Sequence, residues 1–115
     1  MHIRRLDHTS LRITDLARSR QFYEALLGLE TAERPELGFP GVWYDVAGSQ
    51  IHLIQHGGMS DGIDPTAPHL ALQVESLADV KRTLAERGIE FLAFGDTQLW
   101  IRDPDGNVVE ICEPR

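Results

Sequence analysis

The chain has 115 residues, 42% of them hydrophobic, which suffices for one ordinary core and predicts a single domain. A net charge of −7, with eleven Lys and Arg residues scattered along the chain, excludes the basic surface that nucleic acid or an anionic membrane requires. The single cysteine, Cys112, excludes an internal disulfide, and we expect a soluble cytoplasmic protein because the N-terminus has no hydrophobic segment.

The first half of the chain predicts one strand, one helix and three further strands. An alternating strand begins at His8, and apolar residues at three- and four-residue spacings predict a helix over residues 16–27. Thr14 or Asp15 can cap this helix, and Gly28 can end it in the left-handed conformation. Shorter β-like stretches follow at residues 29–32, 41–47 and 50–55.

The second half repeats this order after a stretch rich in glycine and proline, residues 56–68, which we interpret as a linker between modules. A strand begins at His69, a helix begins near Leu77 with Ser76 as its cap, and Gly88 ends it. The remaining strands are predicted at residues 89–94, 98–102 and 107–113, the last two joined by an Asp-Pro-Asp-Gly turn.

The two halves are therefore copies of one βαβββ unit, each with a His, an alternating strand, a Leu eight residues later, a helix and a glycine stop. One helix over four strands is a marginal core by itself. We predict an α+β fold in which module one, about residues 5–56, and module two, about residues 68–114, form one domain over residues 1–115.

Strand alternation places four candidate metal ligands on one face of the predicted sheet. His8 and His69 begin the equivalent first strands, and His52 and Glu110 lie at equivalent positions of the fourth strands. Three imidazoles and one carboxylate suit zinc, nickel, cobalt, iron(II) or manganese. We predict one divalent ion per chain bound by His8, His69 and Glu110, with His52 as a fourth ligand unless three protein ligands suffice.

The same alternation assigns the apolar strand residues to the opposite, helix-covered core. These residues are Leu11, Ile13, Ile51, Leu53, Leu70, Leu72, Val74, Val109 and Ile111.

The sequence also supports interpretations of residues outside the four candidate ligands, and two remain open for Arg12 and for each tryptophan. Arg12 is either an anchor for an anionic substrate or, as we favour, the partner of a nearby carboxylate. Trp43 and Trp100 either complete the core or line the pocket. Cys112 has no activating neighbour in sequence and is predicted to be an inert buried thiol. The predicted solvent-exposed histidines are His2 and His56.

Four motifs together resemble the vicinal oxygen chelate superfamily, which includes glyoxalase I, fosfomycin-resistance thiol transferases, extradiol dioxygenases, methylmalonyl-CoA epimerase and bleomycin-binding proteins. The motifs are the His8 strand, Phe22-Tyr-x-x-Leu-Leu-Gly-Leu, His69-x-Ala-x-x-Val and Asp103-Pro-Asp-Gly-Asn-x-x-Glu110. The resemblance spans nearly the whole chain. It implies a U-shaped, curved mixed sheet around a metal cavity and a homodimer packed around a two-fold axis.

The resemblance also implies ligands at His8, His52, His69 and Glu110 and chelation of a substrate through two adjacent oxygens. On this basis we expect a metal-dependent lyase or isomerase of the glyoxalase type, in which Glu110 is the catalytic residue that moves a proton.

Two alternatives stay open. One is a small-molecule-binding or antibiotic-resistance protein of the bleomycin-binding kind, although such binders usually lack the metal ligands. The other is an extradiol-dioxygenase-like oxidoreductase, although many of these have an extra pair of modules. The motifs leave the substrate, the native metal and any thiol co-substrate open.

Overall fold

The computed structural model describes residues 1–55, 62–104 and 106–115. His56, which the sequence predicts to be exposed, lies outside these ranges. The first half forms β1 (Ile3–Arg12), α1 (Leu16–Arg20), β2 (Glu30–Thr31), β3 (Gly41–Val46) and β4 (Ser49–Ile54). The second half forms β5 (His69–Val74), α2 (Leu77–Glu86), β6 (Leu92–Phe94), β7 (Gln98–Arg102) and β8 (Val108–Cys112).

Both helices begin where the sequence predicts, at Leu16 and Leu77. The side chains of Asp15 and Ser76 accept hydrogen bonds from first-turn backbone N–H groups at 3.1 and 3.2 Å, which caps α1 and α2. Gly28 and Gly88 follow the helices with φ of +73° and +65°. In the described ranges, the helices are too short and too polar to span a membrane.

The helix of the first half differs from the prediction in one respect. After α1 the chain continues as a π-helical segment, Gln21–Leu26, in which hydrogen bonds span five residues instead of four. The N–H of Leu27 accordingly donates to the carbonyl of Phe22 at 3.0 Å.

The eight strands form one mixed sheet in the order β2-β3-β4-β1-β5-β8-β7-β6. In each half the first strand runs parallel to the fourth, as β1 with β4 and β5 with β8. The halves join through the antiparallel pair β1 and β5, where Ser10 lies opposite His69. The predicted α+β fold of two βαβββ units is therefore confirmed, and in this structure the units pair within one chain.

Two clusters of buried side chains pack between the helices and one face of the sheet. The cluster under α1 is centred on β3 and β4 and contains Val42, Tyr44 and Leu53, with the partly buried Leu16 and Tyr23 packed against it. The cluster under α2 is centred on β7 and β8 and contains Leu77, Val80, Leu84, Leu99 and Ile111. These clusters bury the side of β3, β4, β7 and β8 that faces the helices, which we call the helix face.

The central strands carry exposed apolar side chains on this same face. Leu11 of β1 and Leu70 of β5 are 38% and 42% exposed, so their predicted place in the core is wrong. The alternation assigns both residues to the correct face, but the two helix clusters are centred on the outer strands, away from the junction of β1 and β5.

Candidate metal centre

The strand register brings the candidate ligands together on the face opposite the helices, which we call the cavity face. Across this face His8 lies opposite Ala71, and Ala71 lies opposite Glu110. The fully buried Ala71 carries only a methyl group, so the side chains of His8 and Glu110 can meet above it. His69 precedes Ala71 by two residues on β5, so its side chain lies on the same face and meets those of His8 and Glu110.

Three buried side chains form a compact triangle of donor atoms. Glu110 Oε1 lies 3.1 Å from His69 Nε2 and 3.3 Å from His8 Nε2, and the two Nε2 atoms are 3.3 Å apart. Donor atoms about 2.1 Å from a tetrahedral ion lie about 3.4 Å apart. The triangle formed by His8, His69 and Glu110 therefore has the dimensions of three ligands around one divalent ion.

Hydrogen bonds at Nδ1 orient both histidine rings of the triangle. His8 Nδ1 donates to Asp7 Oδ2 at 2.7 Å, and His69 Nδ1 donates to the carbonyl of Ala67 at 2.6 Å. When the ring is neutral, donation from Nδ1 leaves the lone pair on Nε2, the atom that faces the triangle. Ser10 Oγ also lies 3.2 Å from His69 Nε2.

His52 lies beside the triangle in a stack of rings. Its imidazole stacks on the rings of Trp43 and His8. The ring centroids are 3.9 Å apart with an interplanar angle of 3° for Trp43, and 3.8 Å apart with an angle of 17° for His8. Its Nε2 lies 2.8 Å from Gln50 Oε1. Lone pairs in the planes of two parallel rings do not converge on one ion, so direct ligation by His52 requires its ring to turn and stays a prediction.

Charges in the site favour a cation. Burial would raise the pKa of Glu110, but the hydrogen bonds with His69 and His8 hold it well below its ordinary value. Burial would lower the pKa of His8, but hydrogen bonds to Asp7 and Glu110 outweigh it and raise that pKa. Glu110 is therefore an ionised carboxylate, and a divalent cation would compete with the His8 proton for the same place.

Comparison with known proteins identifies the family. The family model of the Glyoxalase/Bleomycin resistance protein/Dioxygenase superfamily matches residues 5–111. This chain belongs to that superfamily. It is 32% identical over 125 residues to the Glyoxylase I 4 of Arabidopsis thaliana, covering 97% of this chain and 72% of the relative.

One further relative supports this assignment, and a solved structure shares the fold. The chain is 32% identical over 126 residues to the lactoylglutathione lyase of Escherichia coli O157:H7, covering 96% of this chain and 93% of the relative. The crystal structure of methylmalonyl-CoA epimerase from Mycobacterium tuberculosis superposes with a TM-score of 0.74 at 20% identity, covering 98% of this chain and 89% of that one. At this identity the structural likeness shows the fold alone.

The two tryptophans of this superfamily member occupy equivalent places on the cavity face. Trp43 lies opposite His52 on the neighbouring strand, and Trp100 lies opposite Glu110. Trp100 is buried and packs against Val108. Both indole rings therefore flank the fourth-strand residues of the site instead of completing the core under the helices.

The remaining sequence interpretations have clear outcomes. Arg12 donates to Asp64 Oδ2 at 3.3 Å, which confirms its role as the partner of a carboxylate. Cys112 is buried and its thiol pKa is raised to about 12, chiefly by burial, as expected of an inert thiol. His2 is exposed, as predicted.

Sequence reasoning missed two residues that support the site. Asp7 accepts the hydrogen bond from His8, and Arg115 forms an ion pair with Asp7. Alternation assigns Asp7 to the face opposite His8, because adjacent strand residues normally point apart. Arg115 is more than a hundred residues from Asp7 in the chain, so no local pattern links them.

Proposed function

We propose that this chain is a divalent-metal-dependent enzyme of the glyoxalase type, a lyase or isomerase whose small substrate binds through two adjacent oxygen atoms. The observation that carries the proposal is the buried triangle of donor atoms from His8, His69 and Glu110. The relatives support it, because one is a lactoylglutathione lyase. Lactoylglutathione is an α-hydroxy thioester with neighbouring hydroxyl and carbonyl oxygens, and we extend that substrate class to this chain.

The donor set fits zinc, nickel, cobalt, iron(II) or manganese, since it combines imidazole nitrogen with carboxylate oxygen. We propose one ion per chain held by His8, His69 and Glu110, with His52 as the fourth predicted ligand when its ring leaves the stack. When bound, the ion would act as a Lewis acid that polarises the two substrate oxygens and stabilises negative charge developing on them.

Each side chain of the site has a separate proposed role. His8 and His69 present lone pairs in fixed directions, because their Nδ1 atoms are held by Asp7 and Ala67. Glu110 is the proposed catalytic residue, since an ionised carboxylate can accept a proton from a substrate carbon and return it to the neighbouring carbon. The side-chain N–H of Gln98 donates to Glu110 Oε2 at 3.3 Å and helps to orient the carboxylate.

The test begins with the metal and continues with turnover. Metal-free protein should bind about one Zn²⁺, Ni²⁺ or Co²⁺ per chain in equilibrium dialysis at neutral pH. The loaded protein should then isomerise the hemithioacetal of a small α-ketoaldehyde and a thiol to the α-hydroxy thioester, or the hydrated α-ketoaldehyde to the α-hydroxy acid. Glu110→Gln, resaturated with metal, should lose at least about 100-fold in turnover, because the amide cannot accept the proton.

The control is Glu86→Gln, the same substitution on an exposed turn of α2. It should leave metal binding and turnover unchanged. Protein that binds no transition metal would contradict the proposed site, and full turnover of resaturated Glu110→Gln would limit Glu110 to the role of a ligand. Binding of a small molecule by metal-free protein without turnover would favour the alternative of a small-molecule-binding or antibiotic-resistance protein.

A further inference from the structure

A β-bulge in β1 changes the direction of one acidic side chain. Leu6 lies opposite Leu72, but His8 lies opposite Ala71, so β1 advances two residues where β5 advances one. Asp7 is the extra residue of this bulge. In a regular strand Asp7 and His8 would point to opposite faces, whereas here both are buried and share a hydrogen bond of 2.7 Å.

The Asp7 carboxylate is held by three donors, one from the adjacent residue and two from distant parts of the chain. His8 Nδ1 donates to Oδ2, Gln73 Nε2 donates to Oδ1 at 3.2 Å, and the guanidinium of Arg115 forms an ion pair with Oδ2. Arg115 also lies over the Trp43 ring, at 5.7 Å from its centroid. A buried carboxylate is costly unless it is paired, and these contacts compensate the charge and hold it in one orientation.

The two equivalent histidines of the site thus have different partners. His69 Nδ1 donates to a neutral backbone carbonyl, whereas His8 Nδ1 donates to a carboxylate. Both partners leave Nε2 free to face the triangle. A carboxylate partner additionally makes the imidazole a stronger donor to a metal ion, because negative charge at Nδ1–H increases the electron density on Nε2.

We propose that Asp7 is a positioning residue for metal binding, which orients His8 and strengthens it as a ligand, and that Gln73 and Arg115 hold Asp7 in place. The inference rests on the proposed metal site. It assigns to the bulge a specific role, since a regular β1 would leave His8 without this partner.

The first measurement is Zn²⁺ affinity, determined by competition with a chromogenic chelator. Asp7→Ala should weaken binding by about 10- to 100-fold, as loss of a partner of a metal-bound histidine typically does. Asp7→Asn should lose less, because its amide oxygen can still accept from His8 Nδ1. The matched control is Asp64→Asn, which removes a partly buried carboxylate paired with Arg12 and should leave Zn²⁺ affinity unchanged.

The second measurement needs no metal. Nitrogen-15 NMR of the imidazole rings, at a pH where they are neutral, should show His8 protonated at Nδ1 in the wild type and as a mixture of tautomers in Asp7→Ala. The His8 signals are assigned by comparison with His8→Gln. If the wild type binds no Zn²⁺, the proposed function fails, and the tautomer shift still tests whether Asp7 positions the ring.

Two results would overturn the inference alone. One is a wild type that binds Zn²⁺ together with an Asp7→Ala variant of unchanged affinity and unchanged tautomer. The other is an Asp7→Asn variant whose Zn²⁺ affinity and His8 tautomer populations both equal those of the wild type. This second result decides the question if Asp7→Ala does not fold. Arg115→Gln should weaken Zn²⁺ binding by less than Asp7→Asn, and no change there would remove Arg115 from the proposal.

Discussion

Ala71 decides whether the ligands can meet. It lies between His8 and Glu110 in the row that crosses β1, β5 and β8, and its methyl group is fully buried. A larger side chain there would occupy the space through which the imidazole and the carboxylate approach each other. The small residue on the central strand is thus a condition for the triangle.

We predict that Ala71→Val weakens Zn²⁺ binding by at least about tenfold, while the overpacked site costs about 1–3 kcal/mol of unfolding free energy. Chelator competition and urea unfolding measure the two effects. Ala93→Val, the same change at an exposed position of β6, should alter neither the affinity nor the stability appreciably. Wild-type affinity in a folded Ala71→Val variant would contradict this account of the site.

His52 is a second residue whose surroundings have a measurable consequence. Burial and the positive charge of His8 lower the pKa of His52 to about 2, so the folded state holds it neutral. The unfolded chain binds a proton at this residue below pH 6.5. Stability conferred by neutral His52 is therefore complete above pH 6.5 and decreases as the pH falls towards 2.

We predict that the unfolding free energy of metal-free protein decreases by up to about 1.4 kcal/mol per pH unit below pH 6.5 through this residue. His52→Phe keeps the ring between Trp43 and His8 but cannot titrate, so its slope between pH 6.5 and 4.5 should be shallower. Urea unfolding at a series of pH values measures both slopes. The exposed-site control His2→Phe should retain the wild-type slope, and an equally steep slope in His52→Phe would refute the prediction.

At the scale of elements, the structure differs from the sequence prediction in hydrogen bonding and strand register. Apolar spacings of three and four residues predict a helix after Leu16, and the same residues satisfy a π-helical segment over Gln21–Leu26. The apolar spacing does not distinguish hydrogen bonds that span four residues from those that span five. In this segment Tyr23 packs against the core, whereas Phe22 and Leu26 are exposed. The sequence pattern does not reveal the bulge at Asp7 either, because the bulge depends on how β1 pairs with β5.

At the scale of the whole molecule, the exposed leucines on the central strands bear on assembly. Leu11 and Leu70, together with Leu6 at 46% exposure, place apolar side chains on the helix face of β1 and β5. Apolar surface of this kind on a folded chain is characteristic of an interface. We propose that a second copy of this chain covers it around a two-fold axis, as a homodimer.

Sedimentation velocity at micromolar concentrations should therefore give the mass of a dimer. Leu70→Glu introduces a charge at this face and should shift the equilibrium towards monomer, because burying an unpaired carboxylate in an apolar interface is costly. Leu37→Glu, the same change at a leucine with equal exposure, serves as the control and should remain dimeric. A monomeric wild type would contradict the proposal of a homodimer.

The sequence by itself determined the repeat, the order of the elements and the three donor residues of the triangle. These features follow from local information: periods of two and 3.6 residues, capping side chains such as Ser76, glycine stops, and equivalent positions in two copies of one unit. His8, His69 and Glu110 could be found because alternation along each strand fixes the face on which a side chain lies.

Only the tertiary structure decided what depends on contacts between distant parts of the chain. The pairing of β1 with β5 shifts the register at Asp7, and Arg115 and Gln73 reach that residue from the other half. The stacking of His52 on His8 and the exposure of Leu70 also depend on contacts between distant parts of the chain. Strand alternation fixes a side chain's face, but its neighbours and its coverage depend on which strands and helices pack beside it, and this is set by the energy of the whole fold.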